Sequence, residues 1–269
     1  MLVWLASYPR SGNTLTRAIL HQVFALPVPS VYPEGSTDSG EHDWGPFVPR
    51  FEHPEGLTGE PLVAWARAQP ELYVMKTHEL PDGAQDPAII LVRDGRAAMA
   101  SYERYTQTWW KTPRGLEEVV VGDDQLVNWS DWHHAWGTRS APTLTLYFEA
   151  VAESPNDAAA EIGRFLKLKP ERAFGATFEQ MQAINPRFFQ VGSNGPGIAA
   201  VESRCPNLFW ALHGDHMRHF GYGGADADRF PDQMSALREL AATINAQKAL
   251  KADSPPAISK RARRRRRRG

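Results

Sequence analysis

The first 24 residues constrain the fold of this chain more than any other segment. Residues 2–6 form a short apolar run that predicts a buried strand, and residues 15–24 carry apolar side chains at helical spacing. The loop between them reads Ser-Tyr-Pro-Arg-Ser-Gly-Asn-Thr over residues 7–14. A strand, a loop and a helix in this order are typical of a phosphate-binding α/β unit, because backbone N–H groups at the helix N-terminus attract anions.

The loop also carries the side chains that an anion site needs. Gly12 lets the backbone approach a ligand closely, and Arg10 supplies a permanent positive charge with paired donors. Ser11, Asn13 and Thr14 add side-chain donors. The loop lacks the Gly-Lys-Ser/Thr ending of the nucleotide-triphosphate P-loop. An ordinary strand-to-helix turn remains the alternative when this segment is taken alone.

The rest of the chain predicts an α/β domain with a central parallel sheet flanked by helices. The entirely apolar run at residues 88–92 is typical of a strand at the centre of such a sheet. Strands are also predicted at residues 72–75 and 143–148, and helices at residues 97–105, 126–138, 158–166, 208–219 and 234–249. Residues 27–61 and 184–207 are rich in Pro, Gly and polar residues, so we predict irregular lid segments there, the second a mobile loop. We expect one domain over residues 1–250 and a disordered basic tail over residues 251–269.

Two further polar clusters follow predicted strands, whose carboxyl ends line the ligand crevice in such folds. Lys76 and His78 follow the strand at 72–75. There, His78 is suited to taking a proton from an attacking hydroxyl, and Lys76 to holding developing negative charge. Arg93 ends the strand at 88–92 and Ser101 lies eight residues later, a pair suited to a second phosphate. The alternatives are a hydrogen-bonded surface histidine and a salt bridge from Arg93 to Asp94 or another acid.

Together these segments resemble the donor-binding and catalytic motifs of the cytosolic-type sulfotransferases, which use 3′-phosphoadenosine 5′-phosphosulfate (PAPS). Residues 7–14 resemble the family's 5′-phosphosulfate loop, Tyr-Pro-Lys-Ser-Gly-Thr-Thr-Trp, and residues 76–81 resemble its Lys-Thr-His-Leu-Pro segment with Glu79 inserted. Arg93 and Ser101 match the family's 3′-phosphate motif in spacing. Similar segments continue to the helix and aromatic residues that end at Tyr222, so the resemblance spans about residues 2–222.

The resemblance implies a single P-loop-like α/β domain. It also implies transfer of a sulfuryl group from PAPS to a hydroxyl or amine of a small-molecule, lipid or carbohydrate acceptor. It implies His78 as the general base, Arg10 and Lys76 as catalytic cations, and no metal. The donor-binding residues that it implies are Arg10, Ser11, Gly12, Asn13, Thr14, Leu15, Arg93, Ser101, Phe148 and Gly192.

Four departures from the family pattern concern the donor. Arg10 replaces the loop lysine, Leu15 replaces the loop tryptophan that would stack on adenine, and Phe148 stands where the family often has Tyr. The late Arg-Lys-Gly that clamps the 3′-phosphate appears as Gln190-Val191-Gly192, so both cations are missing. Losing charge-assisted hydrogen bonds of ~1.5–3 kcal/mol each weakens donor binding. Other arginines available to compensate are Arg187 and Arg204.

Composition bears on compartment and partners. The net charge is −1, but residues 260–268 carry eight positive charges, which leaves −9 for the rest of the chain. Such a tail is expected to contact polyanions. There is one cysteine, Cys205, and no apolar run reaches the ~18 residues of a membrane span, so we expect a cytoplasmic protein. His213, His216 and His219 share a predicted helix, and a solvated face is the favoured interpretation over a metal site.

Three other functions are weighed against sulfuryl transfer. A P-loop-type kinase or nucleotide hydrolase needs a loop lysine and a magnesium-binding carboxylate, and residues 7–14 lack that lysine. A catalytically degenerate nucleotide-binding module is consistent with the missing late cations. A nucleic-acid-binding protein is suggested only by the arginine tail, in which no aromatic residues are interleaved.

Overall fold

The computed structural model describes residues 1–32, 47–49, 54, 56–123 and 127–224. The predicted helix at 234–249, the tail at 251–269 and most of the irregular segment at 27–61 lie outside the described residues. The predicted boundary of the domain at residue 250 also lies outside them, and it stays a prediction.

A four-stranded parallel sheet forms the centre of the described domain. Its strands are β1 (Leu2–Ser7), β2 (Tyr73–Thr77), β3 (Ala88–Val92) and β4 (Thr143–Tyr147), in the order β2-β1-β3-β4. Every residue of β1 and β3 is buried, which explains why both strands read as apolar runs without alternation. The predicted parallel α/β sheet is thus confirmed. The strand predicted at 143–148 ends one residue earlier, because Phe148 already begins a helix.

Ten helices surround this sheet within the described residues. They are α1 (Asn13–Phe24), α2 (Gly59–Ala68), α3 (Gly95–Trp109), α4 (Leu116–Val121), α5 (Trp129–Gly137), α6 (Phe148–Glu153), α7 (Pro155–Leu166), α8 (Phe178–Ile184), α9 (Gly195–Arg204) and α10 (Pro206–His219). Side chains of alternate strand residues pack on opposite faces of the sheet. Trp4 and Ile90 join a core with the tryptophans of α5 and with α3 and α10, whereas Leu5 and Ile89 join one with α1 and α7. Both faces are therefore covered by helices.

Helix α9 corrects the prediction of a mobile loop at 184–207. It packs closely on α3 because Gly197 has no side chain: a Cβ there would lie 2.9 Å from the Cα of Ala97. Pro196 sits in the first turn of α9, where its missing N–H has no helical partner to lose. The Gly and Pro residues at 195–197 thus mark a helix start and a close helix contact, whereas residues 185–194 form no helix or strand, so the loop prediction is wrong from residue 195 onward.

Strand register places the polar clusters at one edge of the sheet. Ala6 pairs with Thr77 and Ser7 pairs with Leu91, so the residues that follow β1, β2 and β3 emerge side by side. The carboxyl edge of a parallel sheet is where such folds bind ligands.

Candidate functional site

A cavity of about 280 Å³ lies at this carboxyl edge of the sheet. Nearly all of the site residues predicted from the sequence line it. They are Arg10, Gly12, Asn13, Thr14, Leu15, Lys76, His78, Arg93, Ser101, Phe148 and Gly192. Ser11 does not line it; its hydroxyl is fully buried and has no hydrogen-bond partner among the described residues. The structure thus brings together segments that lie up to 182 positions apart in the sequence, from Arg10 to Gly192.

The loop after β1 has a backbone that few residues other than glycine adopt. Gly12 has a φ of 100° and directly precedes α1, and a Cβ at Gly12 would lie 2.6 Å from Cδ2 of Phe148. Arg10 also has a positive φ, 66°. Asn13 Nδ2 donates to Ser7 Oγ (3.2 Å) and to the carbonyl of Leu5 (3.4 Å), so this side chain ties the loop to the end of β1.

Arg10 and Arg93 form the centre of a strongly basic wall. Arg10 Nε donates to Ser101 Oγ (3.2 Å), its Nη2 donates to the carbonyl of Phe188 (3.0 Å), and its guanidinium carbon lies 3.8 Å from the centre of the Phe188 ring. Arg93 Nη1 donates to the carbonyl of Arg10 (2.7 Å), and Arg93 Nε to Asn194 Oδ1 (2.9 Å). These contacts hold both guanidinium groups in the cavity wall.

The alternative of a salt bridge from Arg93 to Asp94 is wrong. Asp94 instead pairs with Arg96 (2.8 Å) and caps α3 by accepting from the Arg96 backbone N–H. Among the described residues, no Asp or Glu lines the cavity, whereas the described lining cations are Arg10, Arg17, Lys76, Arg93, Arg104 and Arg187. Burial lowers the pKa of Arg93 to about 10, and burial together with the neighbouring Arg93 lowers the pKa of Arg10 to about 9. Both groups stay charged at neutral pH, and an anion would relieve their repulsion.

His78 is held in one orientation from three sides. Its Nδ1 lies 2.7 Å from the carbonyl oxygen of Ser7; because a carbonyl only accepts, Nδ1 carries the proton and the lone pair of the neutral ring is on Nε2. The backbone N–H of His78 donates to Tyr32 Oη (2.9 Å), and Trp132 Nε1 donates to the His78 carbonyl (2.8 Å). Such an arrangement suits a general base acting through Nε2.

Lys76 lies on β2 two residues before His78 and reaches the same cavity. It is only 4% exposed, and its Nζ lies 4.7 Å from the centre of the Tyr32 ring. A buried ammonium group beside an aromatic face and a histidine is suited to binding an oxyanion.

The late segment lines the cavity without supplying the missing cations. Gln190, Val191 and Gly192 all lie at the cavity wall. Of the two arginines available to compensate, Arg204 pairs with Glu103 (2.8 Å) and does not line the cavity. Arg187 does line it, but it is exposed and its guanidinium carbon lies 5.2 Å from the centre of the Trp109 ring.

Some lining residues were not predicted from the sequence. Arg104 lies one turn after Ser101 on α3, and this spacing puts both side chains on one face of the helix. The same spacing in the sequence was the signal from which Arg104 could have been predicted. An apolar part of the wall is formed by Phe174, Phe178, Met181 and Phe189. No motif marked these residues, although the rings of the three phenylalanines offer flat surfaces for a planar base.

The three histidines of α10 do not form the expected solvated face. His213 is fully buried, with Nδ1 2.9 Å from Ser130 Oγ and Nε2 2.9 Å from the carbonyl of Val120. Position 213 faces α4 and α5, which are packed against α10. In the described part of the chain, no group of three or more His, Cys, Asp or Glu residues is placed to hold a metal ion.

Among the described helices, none combines the length and the apolar character that a membrane span requires.

Comparisons with known proteins give one family model and similar solved structures. The family model of the sulfotransferase domain matches residues 2–190 of the chain. The crystal structure of mouse sulfotransferase SULT7A1 complexed with PAP is similar in fold, with a TM-score of 0.58 at 16% identity, covering 81% of this chain and 84% of that one. Retinol dehydratase in complex with androsterone and the inactive cofactor PAP matches with a TM-score of 0.41 at 16% identity, covering 91% of this chain and 80% of that one. No curated protein sequence matches the chain.

Proposed function

Since this chain belongs to the sulfotransferase domain family, we propose that it transfers a sulfuryl group from PAPS to a hydroxyl or amine of a small-molecule, lipid or carbohydrate acceptor. The observation that carries this proposal is the cavity at the sheet edge. It combines an oriented histidine, a buried lysine and several arginines, and its described lining contains no carboxylate. PAPS is negatively charged at both ends, on its 5′-phosphosulfate and on its 3′-phosphate. A cavity wall of lysine and arginine side chains attracts such an anion.

The residues present fit the donor. Gly12 leaves room at the N-terminus of α1 for a close approach of phosphate, and the buried hydroxyl of Ser11 has no partner among the described residues. Arg93 and Ser101 lie on the side of the cavity formed by β3 and α3, where they would hold the 3′-phosphate. The rings of Phe178 and Phe148 would contact the base, which offsets the absence of a tryptophan at Leu15.

The proposed reaction is an in-line displacement at sulfur. The acceptor oxygen or nitrogen attacks the sulfur atom, the bond from sulfur to the 5′-phosphate oxygen breaks, and His78 Nε2 takes the acceptor's proton. Arg10 and Lys76 stabilise the negative charge on the sulfuryl oxygens and on the leaving phosphate. Arg10 donates to Ser101 Oγ, and binding of the two phosphates would replace this contact with stronger charge-assisted bonds.

The kinase alternative is disfavoured by the cavity wall. A magnesium-dependent phosphoryl transfer needs a carboxylate to hold the ion, and the part of the chain that the structure describes places none in the cavity wall. The degenerate binding module makes a different prediction: it would bind 3′-phosphoadenosine 5′-phosphate (PAP) without turnover of any acceptor.

The proposal is tested by transfer of labelled sulfate from PAPS to a panel of phenols, sterols, lipids and sugars, with each product identified by the mass shift of one sulfuryl group. His78→Ala is expected to lower kcat by about 10²–10⁴-fold while PAP affinity is kept. His134→Ala is the matched control, since His134 is exposed on α5 and does not line the cavity. Full activity in His78→Ala would exclude it as the base. Magnesium-dependent ATP hydrolysis without any response to PAPS would favour the kinase.

The proposal also covers the arginine-rich tail and the cellular compartment of the protein. We propose a cytoplasmic enzyme whose residues 251–269 contact a polyanion. Deletion of residues 259–269 is expected to leave sulfuryl transfer unchanged and to remove salt-dependent binding to an anionic polymer such as heparin. Loss of activity in the deleted chain would instead place the tail in acceptor binding.

A further inference from the structure

The donor proposed above poses a charge problem at its 3′-phosphate. Two cations expected to clamp that group are absent at residues 190 and 191, and of the remaining expected ligands only Arg93 is charged. A phosphate monoester carries nearly two negative charges at neutral pH, so one buried arginine leaves it incompletely neutralised. A further cation near Ser101 would complete the site.

Arg104 occupies the position that such a cation needs. It lies three residues after Ser101 on α3, so both side chains leave the same face of the helix, and both line the cavity. It is partly buried, and it is close enough to Arg10 and Arg93 that its charge helps to lower the pKa of each. Three guanidinium groups therefore converge on one region of the cavity wall.

Arg104 also has no carboxylate committed to it in the described part of the chain. Its sequence neighbour Glu103 uses both carboxylate oxygens on Arg204, at 2.8 and 2.9 Å. The other cations of the wall are less suitable. Arg17 donates to the carbonyl of Val28 from two nitrogens, and Arg187 is exposed and contacts Trp109.

We infer that Arg104 binds the 3′-phosphate of the donor beside Ser101 and Arg93, and so replaces the cations missing at residues 190 and 191. This inference rests on the proposed function. It makes Arg104 a determinant of specificity, since it distinguishes a nucleotide with a 3′-phosphate from one without it.

The test compares two probes that differ only in this group: PAP and AMP, each titrated calorimetrically into the full chain. The ratio of their dissociation constants measures the contribution of the 3′-phosphate. In Arg104→Gln this ratio is expected to fall about 10–100-fold, because a charge-assisted contact is lost, while AMP affinity changes less than about twofold. Arg104→Lys is expected to recover part of the ratio, since it restores the charge without the planar fork.

Arg187→Gln is the matched control and is expected to keep the wild-type ratio. The inference is overturned if Arg104→Gln keeps the wild-type ratio. It is also overturned if PAP and AMP lose affinity equally, because Arg104 would then support the structure of the site as a whole. A fall of the ratio in Arg187→Gln alone would assign the role to Arg187. Failure of the proposed function gives a result different from failure of this inference, because the wild-type chain itself would then bind PAP no more tightly than AMP.

Discussion

Acidification from pH 7 to pH 5 is expected to destabilise the helical layer beneath the site, because two histidines are buried there in neutral form. Burial lowers the pKa of His213 to about 4, and burial together with nearby His216 and His213 lowers the pKa of His133 to about 3. In His213 the ring is fixed by its neighbours: Nε2 donates to the Val120 carbonyl and Nδ1 accepts from the Ser130 hydroxyl. Protonation of Nδ1 would turn it from an acceptor into a donor, so the Ser130 hydroxyl would have to rotate, and the ring would become a buried charge.

The direction and the size of the change in folding stability follow from the difference in proton binding between the folded and unfolded states. The pKa of each histidine is about 6.5 in the unfolded chain and lower in the folded one, so below pH 6.5 the unfolded state binds more protons and stability falls as pH falls. Between pH 7 and pH 5 each group costs about 2 kcal/mol, and both together about 4 kcal/mol. A domain of ordinary stability has about 5–15 kcal/mol in total, so the expected loss is large.

The assay is urea denaturation at pH 7, 6 and 5, followed by tryptophan fluorescence. His213→Gln is expected to be less stable at pH 7 but to lose about 2 kcal/mol less than the wild type between pH 7 and pH 5. His134→Gln, exposed on the same layer, is expected to keep the wild-type pH dependence. An unchanged pH dependence in His213→Gln would refute the reasoning. Activity is expected to fall with stability, because Trp132 on α5 holds the carbonyl of His78.

Two glycine substitutions test the packing around the cavity. Gly12→Ala places a Cβ 2.6 Å from Cδ2 of Phe148 at a φ of 100°, so we expect PAP affinity to fall at least about tenfold by calorimetry; wild-type affinity would mean that the loop adapts without cost. Gly197→Ala places a Cβ 2.9 Å from the backbone of α3 and is expected to cost about 1–3 kcal/mol, seen as a lower Tm. Gly195→Ala is its control in the same helix, since a Cβ there meets nothing within 4 Å, and equal Tm losses in the two variants would contradict the packing argument.

Local sequence signals were sufficient to predict the sheet and the loop at residues 7–14 that lines the cavity. The runs that became β1 and β3 are apolar throughout, because both faces of these strands are buried, and a buried parallel strand has no other pattern. Arg10 and Gly12 could be recognised because their chemistry is set by a few consecutive residues between a strand and a helix. His78 directly follows β2 and Arg93 directly follows β3, so the sheet itself brings these two residues to the cavity.

Residues placed by long-range packing could not be found in this way. The segment 184–207 reads as a loop because Gly and Pro break regular structure in general. Here Pro196 stands in the first turn of α9 and Gly197 lets α9 pack against α3, and the use of Gly197 depends on Ala97, a neighbour more than 90 residues away. Likewise His213 shares its periodicity with the half-buried His216 and the exposed His219, and only the packing of α4 and α5 on α10 determines that His213 is buried.

The late segment of this chain contributes to the site through Asn194 and not through charge. Asn194 Oδ1 accepts from Arg93 Nε, and its Nδ2 donates to Glu149 Oε1 (2.6 Å), so the amide stands between a cation and a carboxylate. Because the amide separates them, Glu149 holds the position of Arg93 without sharing a direct ion pair with it, and the guanidinium keeps its charge available for a phosphate. Glu149 is in turn fixed by the hydroxyl of Tyr222 (2.7 Å). If the cavity binds the proposed donor, a clamp of two cations would add binding energy directly, whereas this arrangement would add it by fixing Arg93 before the donor arrives, which would lower the conformational entropy lost on binding.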